Sequence, residues 1–283
     1  MRALPPTADP GGHSPKHAWG VIEDPDVLRQ VRRRLRRADR ADAFRCPDLY
    51  DLAYPGYPGD AAYYLRHGRA GAVLYLGVGT GRLFAPLADA NPEAVGLEAS
   101  ADMLDHLHRA RPALRGRVVR GDAAAADLGA GRFDAVLAPY SFLQCLDRAA
   151  ACRVVHNAHR WLKPGGVFRT DTFSPYLIPF AGRGLEASVR AFAGGTRVAV
   201  YVRYDHIRQR MREYALVERP GAPDRVLGMA LRYDFPRQVR VLLTRAGFEP
   251  PGVSGGYAGE AFDPGENEVL VYEARKPSAA RES

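Results

Sequence analysis

The sequence contains little cysteine, almost no lysine and no long uninterrupted hydrophobic run. Its three cysteines, Cys46, Cys145 and Cys152, lack the spacing of metal ligands, and an odd number of cysteines does not form a closed disulfide framework. We therefore expect a protein of the reducing cytoplasm without a bound metal. No stretch approaches the roughly 18 consecutive apolar residues that a membrane span needs, so we expect no membrane association.

Lysine is represented only by Lys16, Lys163 and Lys276, so the 40 basic residues are nearly all arginine. Together with abundant Ala and Gly, this composition is typical of a GC-rich genome, in which codon usage supplies arginine. The net charge of +8 is therefore poor evidence for a nucleic-acid partner, and we do not expect one.

The arginines are concentrated in residues 27–45. Asp24 and Pro25 are residues that begin helices, and an apolar stripe recurs at helical spacing from Leu28 to Ala38. One interpretation is a helix that binds an anionic or membrane surface; the other is a helix that docks by its stripe and leaves its arginines in solvent. The stripe is narrow and contains no aromatic residue, which favours docking.

From residue 60 onward, strand and helix signals alternate, as in a parallel sheet with helices on both faces. Three strands then follow without a helix between them, which indicates an antiparallel insert. The predicted strands are 72–78, 94–97, 117–120, 132–138 and 167–171 in the core, 197–204, 210–217 and 227–233 in the insert, and 252–256 and 268–274 after a helix at 236–246. The predicted divisions are a disordered leader (1–20), a helical cap segment (21–58), a core (59–175), the insert as a lid (176–235), a C-terminal part of the core (236–275) and a disordered tail (276–283).

Three alternate glycines, Gly77, Gly79 and Gly81, follow the first core strand. They could form a plain strand–helix turn, but three glycines cost more backbone entropy than such a turn requires. A dinucleotide site has the pattern G-x-G-x-x-G, whereas Arg82 occupies the third glycine position here. The spacing fits a cofactor that carries a single nucleoside, bound where the strands end.

The segment VLYLGVGTGRL (73–83) resembles the first motif of class I S-adenosylmethionine-dependent methyltransferases of the small-molecule type, V-L-D/E-L-G-C-G-T-G-R-L. Further motifs of that family follow in order at 95–100, 120–123, 133–136 and 162–166. The resemblance implies an α/β fold with a Rossmann-like, doubly wound, seven-stranded sheet that is mostly parallel with an antiparallel last strand. It also implies S-adenosyl-L-methionine as the cofactor.

The resemblance also implies which residues bind the cofactor. Glu98 would accept hydrogen bonds from the ribose hydroxyls, and Asp122 would contact the adenine amino group. Both have ordinary alternatives, a helix-capping carboxylate and a loop aspartate. The full implied set is Tyr50, Tyr54, Tyr75, Gly77, Gly79, Gly81, Glu98, Ala99, Met103, Asp122, Ala123, Ala138, Tyr140 and Gln144.

Tyr75 departs from the family pattern, because the family has a carboxylate there that helps to hold the methionine ammonium. A phenol carries no charge, and the loss should cost about 1.5–3 kcal/mol of binding free energy. Tyr50 and Tyr54 belong to an N-terminal segment that closes over the cofactor in the resembled enzymes; the alternative is that they only pack.

The implied function is methyl transfer to an O or N atom of a small-molecule acceptor, which could be a secondary metabolite. Tyr140 and Asp171 are the candidates for a catalytic base. The alternatives are a protein of this fold with weakened or lost use of the cofactor, serving as a partner subunit or a cyclase-like enzyme, an RNA methyltransferase that uses the arginine-rich helix, and a nicotinamide dehydrogenase. The oligomeric state is open, with a homodimer as one option.

Overall fold

The computed structural model describes residues 20–22, 24–178 and 185–278. The described residues belong to two compact units. The first unit consists of Met1–Pro55 and Phe180–Leu231, and the second of Gly56–Pro179 and Arg232–Ser283.

Seven α-helices and thirteen strands are assigned within the described ranges. The helices are α1 (Pro25–Arg37), α2 (Pro47–Ala53), α3 (Asp60–Gly68), α4 (Phe84–Ala90), α5 (Ala101–Ala110), α6 (Arg148–Trp161) and α7 (Pro236–Arg245). The strands are β1 (Gly20–Ile22), β2 (Asp39–Asp42), β3 (Val73–Leu76), β4 (Val95–Glu98), β5 (Val118–Arg120), β6 (Phe133–Ala138), β7 (Leu162–Phe173), β8 (Leu185–Ala191), β9 (Arg197–Asp205), β10 (Arg210–Glu218), β11 (Arg225–Arg232), β12 (Gly252–Ser254) and β13 (Val269–Arg275).

The second unit contains a seven-stranded sheet in the order β12-β13-β7-β6-β3-β4-β5. The pairs β3–β4, β4–β5, β3–β6 and β6–β7 are parallel, whereas β13 runs antiparallel to β7. The predicted Rossmann-like sheet with an antiparallel last strand is therefore confirmed.

Both faces of the sheet are buried at β3, which explains why this strand is apolar at every position. Successive side chains of a strand point to opposite faces. Val73 and Tyr75 accordingly lie in one apolar cluster, together with Phe84, and Leu74 and Leu76 lie in another. The carboxyl ends of these buried parallel strands are where a ligand can reach the chain.

The first unit contains a six-stranded sheet in the order β1-β8-β9-β10-β11-β2. It is larger than the three-stranded insert that the sequence indicated, because β8 precedes the predicted strands and two N-terminal strands join the edges. β1 pairs with β8, and β2 pairs in parallel with β11. Both N-terminal strands are too short, and β2 is too polar, to give a clear strand pattern.

The arginine-rich helix α1 docks by its apolar stripe. Val31 and Leu35 are buried in a cluster with Tyr201 and other residues of the six-stranded sheet. Arg34 donates hydrogen bonds to Glu218 (2.5 Å) and Asp224 (2.9 Å). This agrees with the docked interpretation of α1. The helix ends at Arg37 rather than at residue 45, because β2 follows it.

Parts of the two chain ends lie outside the described residues. Of the predicted leader, only Gly20 is described, and residues 279–283 of the predicted tail lie outside the described residues. Lys276, which belongs to the predicted tail, donates through Nζ to the carbonyl oxygens of His159 (2.8 Å) and Leu162 (2.7 Å). In the described ranges, no helix is long and apolar enough to cross a membrane.

Candidate active site

The three glycines after β3 differ in what their missing side chains make possible. All have positive φ angles, +70° at Gly77, +58° at Gly79 and +93° at Gly81, which L side chains rarely adopt. A Cβ on Gly77 would lie 2.6 Å from the Phe142 ring, and one on Gly81 would overlap Leu107. Nothing lies within 4 Å of a Cβ on Gly79. Gly77 and Gly81 thus permit close packing, whereas Gly79 leaves the turn open to a ligand.

The carboxylate of Glu98 joins this turn to the end of β4. Its Oε2 accepts a hydrogen bond from the backbone N–H of Gly79 (2.8 Å), and its Oε1 accepts one from Ser100 (2.7 Å). Glu98 is only 8% exposed, and this burial raises its pKa, while the backbone N–H groups oppose the rise. The backbone N–H of Ala99 is a third donor to this carboxylate. A carboxylate has about four acceptor positions, so Glu98 keeps capacity for a further donor.

The residues next to Glu98 form the start of α5. Ser100 caps the helix by accepting the Met103 N–H at Oγ (3.3 Å), and Met103 is buried. Ala99 is exposed between them. Glu98, Ala99 and Met103 thus lie together between the end of β4 and the first turn of α5.

Asp122 lies beyond the end of the neighbouring strand β5. Its Oδ1 accepts the backbone N–H of Ala124 (2.8 Å), and the side chain is exposed. Ala123 is buried, and its carbonyl accepts a hydrogen bond from Asn157 (2.9 Å). The backbone N–H of Gly121 donates to the Glu98 carbonyl (2.9 Å), which ties this loop to the end of β4.

Tyr75 is buried at 3% exposure, and its ring lies against Phe84 with centroids 5.6 Å apart. Burial raises the pKa of its phenol, so the side chain is neutral. The positive charge of Arg82 opposes this rise in the pKa, and the negative charge of Asp60 adds to it. Tyr75 fills the position of the family carboxylate without supplying charge.

A strained turn follows β6, after the buried Ala138. Tyr140 and Ser141 have φ angles of +55° and +56°, which are uncommon for residues other than glycine. Asp171 holds this turn, since its Oδ2 accepts the Tyr140 N–H (2.8 Å) and its Oδ1 accepts the Ser141 N–H (2.7 Å). Tyr64 also donates its hydroxyl to Oδ2 (2.6 Å). Such strain persists where surrounding contacts fix it, and it is concentrated at functional sites.

Asp171 is fully buried, and burial raises its pKa to about 6, although its hydrogen-bond donors oppose the rise. A base must reach the proton that it abstracts. Asp171 is instead occupied by the turn and by Tyr64, so its geometry is that of a residue that positions Tyr140.

Tyr140, Gln144, Tyr50 and Tyr54 are the other predicted site residues. The ring centroid of Tyr140 lies 5.2 Å from that of Tyr57. Gln144 is buried and accepts the Phe173 N–H (3.2 Å), which connects the residues after β6 to the end of β7. Tyr50 and Tyr54 belong to the first unit, where their ring centroids lie 4.9 Å apart. Throughout the described ranges, no group of three or more His, Cys, Asp or Glu side chains could hold a metal ion.

Asp60 was not predicted from the sequence as a site residue, and Arg82 was considered only as a mismatch to the dinucleotide pattern. The structure joins them by two hydrogen bonds, Nη1 to Oδ1 (3.1 Å) and Nη2 to Oδ2 (2.7 Å). The only signal in the sequence is an arginine directly after the glycines. Its partner lies 22 residues earlier at the start of α3, in a segment without a recognisable motif.

The different roles of the glycines predict different effects of alanine. Gly81→Ala should destabilise the fold by about 2–4 kcal/mol, because it combines an unfavourable φ with overlap in a packed core. Gly79→Ala should cost only about 1–2 kcal/mol but weaken S-adenosylhomocysteine binding at least tenfold. Chemical denaturation and calorimetric titration measure the two effects. Equal destabilisation by both substitutions, with unchanged binding to Gly79→Ala, would contradict these assignments.

The burial of Asp171 predicts a pH-dependent stability. Its pKa is about 6 in the folded protein against 3.8 unperturbed, so the folded state binds more protons between these values. This group's contribution to the free energy of unfolding therefore falls as the pH rises from 4 to 7, by up to about 3 kcal/mol. Asp171→Asn removes the titration, so the stability advantage of the wild type should shrink over this interval. Urea denaturation of both proteins at several pH values tests this, and a constant difference is the contrary result.

Comparison with known proteins agrees with this geometry. A profile described as a methyltransferase domain matches residues 73–166. The cypemycin N-terminal methyltransferase of a Streptomyces species is 28% identical over 201 residues, which cover 70% of this chain and 81% of that protein. The structure of the CcbJ methyltransferase from Streptomyces caelestis is 27% identical, with a TM-score of 0.71 over 84% of this chain and 99% of that one.

A further solved structure shows the same fold at lower identity. The sugar N-methyltransferase KedS8 from Streptoalloteichus is 21% identical, with a TM-score of 0.59 over 98% of this chain and 100% of that one. The ordered motifs, the open glycine turn held by Glu98 and these similarities lead to one conclusion: residues 73–166 match the methyltransferase-domain family, and the chain is similar to methyltransferases over most of its length.

Proposed function

We propose that this methyltransferase transfers the methyl group of S-adenosylmethionine to a nitrogen atom of a small-molecule acceptor. The observation that carries the proposal is the Glu98 carboxylate, held by the Gly79 and Ser100 N–H groups beside an open turn. It supports a nucleoside site at the carboxyl ends of β3 and β4, where ligands of such sheets bind.

The residues fit the cofactor. A ribose hydroxyl would donate to the remaining acceptor position of Glu98, and Gly79 would allow close approach to the backbone. The exposed carboxylate of Asp122 would accept from the adenine amino group. Ala99, Met103 and Ala123 would flank the adenosine, and Ala138 and Tyr140 would lie toward the methyl group. Bound there, the cofactor supplies an activated methyl group.

The protein's contribution to this reaction is positioning. Methyl transfer is an in-line displacement, and holding the two partners in line can lower the barrier by roughly 7–11 kcal/mol without a catalytic base. The fixed turn at Tyr140 and Ser141 provides a rigid wall for that arrangement, because Asp171 holds both backbone N–H groups.

The engagement of Asp171 favours nitrogen over oxygen as the acceptor atom. An alcohol has to lose its proton during attack, so a base accelerates its methylation. An unprotonated amine brings its own lone pair, and its proton can leave to water after methylation. The 28% identical relative is named as an N-terminal methyltransferase, which also supports an amine acceptor.

The choice of acceptor atom is tested with pairs of sugars and other small metabolites that differ only in an amine or a hydroxyl at one carbon. We expect mass spectrometry to detect methylated amines and S-adenosylhomocysteine, and the rate to rise with pH as the amine loses its proton. Arg111→Gln, which removes a surface ion pair with Asp89, is the matched control and should leave transfer unchanged. Exclusive methylation of hydroxyls would overturn the nitrogen assignment. Transfer to neither series by cofactor-bound protein would overturn the small-molecule acceptor.

A further inference from the structure

We propose that Arg82 and Asp60 together bind the amino-acid end of the cofactor and replace the carboxylate that Tyr75 does not supply. This inference rests on the proposed function and adds a site for a zwitterionic α-amino acid group to it. Asp60 lies outside every family motif described above, and Arg82 follows the last glycine of the turn directly.

The pair is a defined, two-point ion pair. Both guanidinium nitrogens Nη1 and Nη2 donate to the two oxygens of Asp60, at 3.1 and 2.7 Å. The Asp60 side chain is 4% exposed and that of Arg82 is 26% exposed. The carboxylate is thus buried behind the guanidinium, and the more accessible side of the pair is the arginine.

The pair lies at the end of the strand that carries Tyr75. Tyr75 is in β3 at the family's ammonium-binding position, and Arg82 directly follows the glycine turn that ends this strand. The Arg82 guanidinium also lies over the Tyr140 ring, 5.4 Å from its centroid. The pair is therefore placed between the end of β3 and the turn after β6, beside the part of the site proposed for the methyl group.

The backbone of Gly56 and Tyr57 holds the ion pair in place. A Cβ on Gly56, which has φ +96°, would overlap the Arg82 guanidinium, so only glycine allows this contact. The Tyr57 N–H donates to Asp60 Oδ2 (3.2 Å), and the Tyr57 ring packs against Tyr140. The guanidinium is held in one place before a ligand arrives, which lowers the entropic cost of binding.

An arginine–aspartate pair is complementary to both charges of an α-amino acid. Asp60 uses two of the five guanidinium N–H donors, and the other three can serve a carboxylate. The negative charge of Asp60 beside them favours the ammonium group on the same carbon. An arginine without its carboxylate would repel that ammonium, so both members of the pair are needed.

A purely structural role of the Arg82–Asp60 pair would affect ligand binding differently. If the pair only fastens residues 56–60 to the glycine turn, its loss weakens binding of every ligand in the pocket to the same degree. If it binds the amino-acid end, its loss weakens only ligands that possess that end. S-adenosylhomocysteine and 5′-methylthioadenosine differ in this way, because the second has a methyl group in place of the amino-acid chain.

The experiment is calorimetric titration of both ligands into wild type, Asp60→Asn and Arg82→Lys, with unfolding temperatures measured without ligand to establish folding. We expect Arg82→Lys to bind S-adenosylhomocysteine about ten- to a hundredfold more weakly, the effect of losing one charge-assisted contact. Asp60→Asn should also weaken this binding, because the guanidinium without its carboxylate repels the ammonium group of the ligand. The dissociation constant of 5′-methylthioadenosine should change by less than about twofold, because this ligand has no amino-acid end. Arg111→Gln, which breaks another arginine–aspartate pair, should affect neither ligand.

Equal weakening of both ligands would overturn the inference in favour of fastening, and no weakening of either would overturn it as well. Failure of the wild type to bind both ligands would instead contradict the proposed function. If neither variant folds, the wild type still provides a test with decarboxylated S-adenosylhomocysteine. We expect at least tenfold weaker binding of that analogue, and equal affinity would overturn the guanidinium contact.

Discussion

The Glu98 carboxylate is the interaction on which the site depends, because it connects the ends of two parallel strands. It accepts one backbone N–H from the glycine turn after β3 and one from the residue that caps α5. The turn can open at Gly79 because Gly77 and Gly81 are packed against Phe142 and Leu107. A buried carboxylate that lost these donors would be costly, so the fold and the binding site stabilise each other.

Asp171 likewise fixes the turn after β6 by accepting hydrogen bonds from backbone N–H groups. It holds two residues with positive φ at the turn where the methyl group is proposed to lie. The two carboxylates thus shape two neighbouring strand ends through backbone N–H groups. Both carboxylates therefore fix the backbone that surrounds the proposed site.

The sheet and the glycine turn were predictable because buried parallel strands and alternate glycines leave local patterns in the sequence. Glu98 was predictable for the same reason, since it ends a strand at a fixed distance from the turn. Two contacts could not be predicted from the sequence: the Asp60–Arg82 ion pair and the hydrogen bond from the Tyr140 N–H to Asp171. They join residues that are 22 and 31 positions apart and share no motif. The strands β1 and β2 were missed because short or charged edge strands depend on their partners in the sheet rather than on their own pattern.

Glu98 organises the nucleoside site that is proposed to bind the cofactor. The most direct measurement is calorimetric titration of S-adenosylhomocysteine into the wild type and Glu98→Gln, with folding of both checked by circular dichroism. We expect a dissociation constant on the order of micromolar for the wild type and at least tenfold weaker binding by the folded variant. Equal affinity of the two proteins, or no detectable heat with the wild type at millimolar ligand, would contradict it.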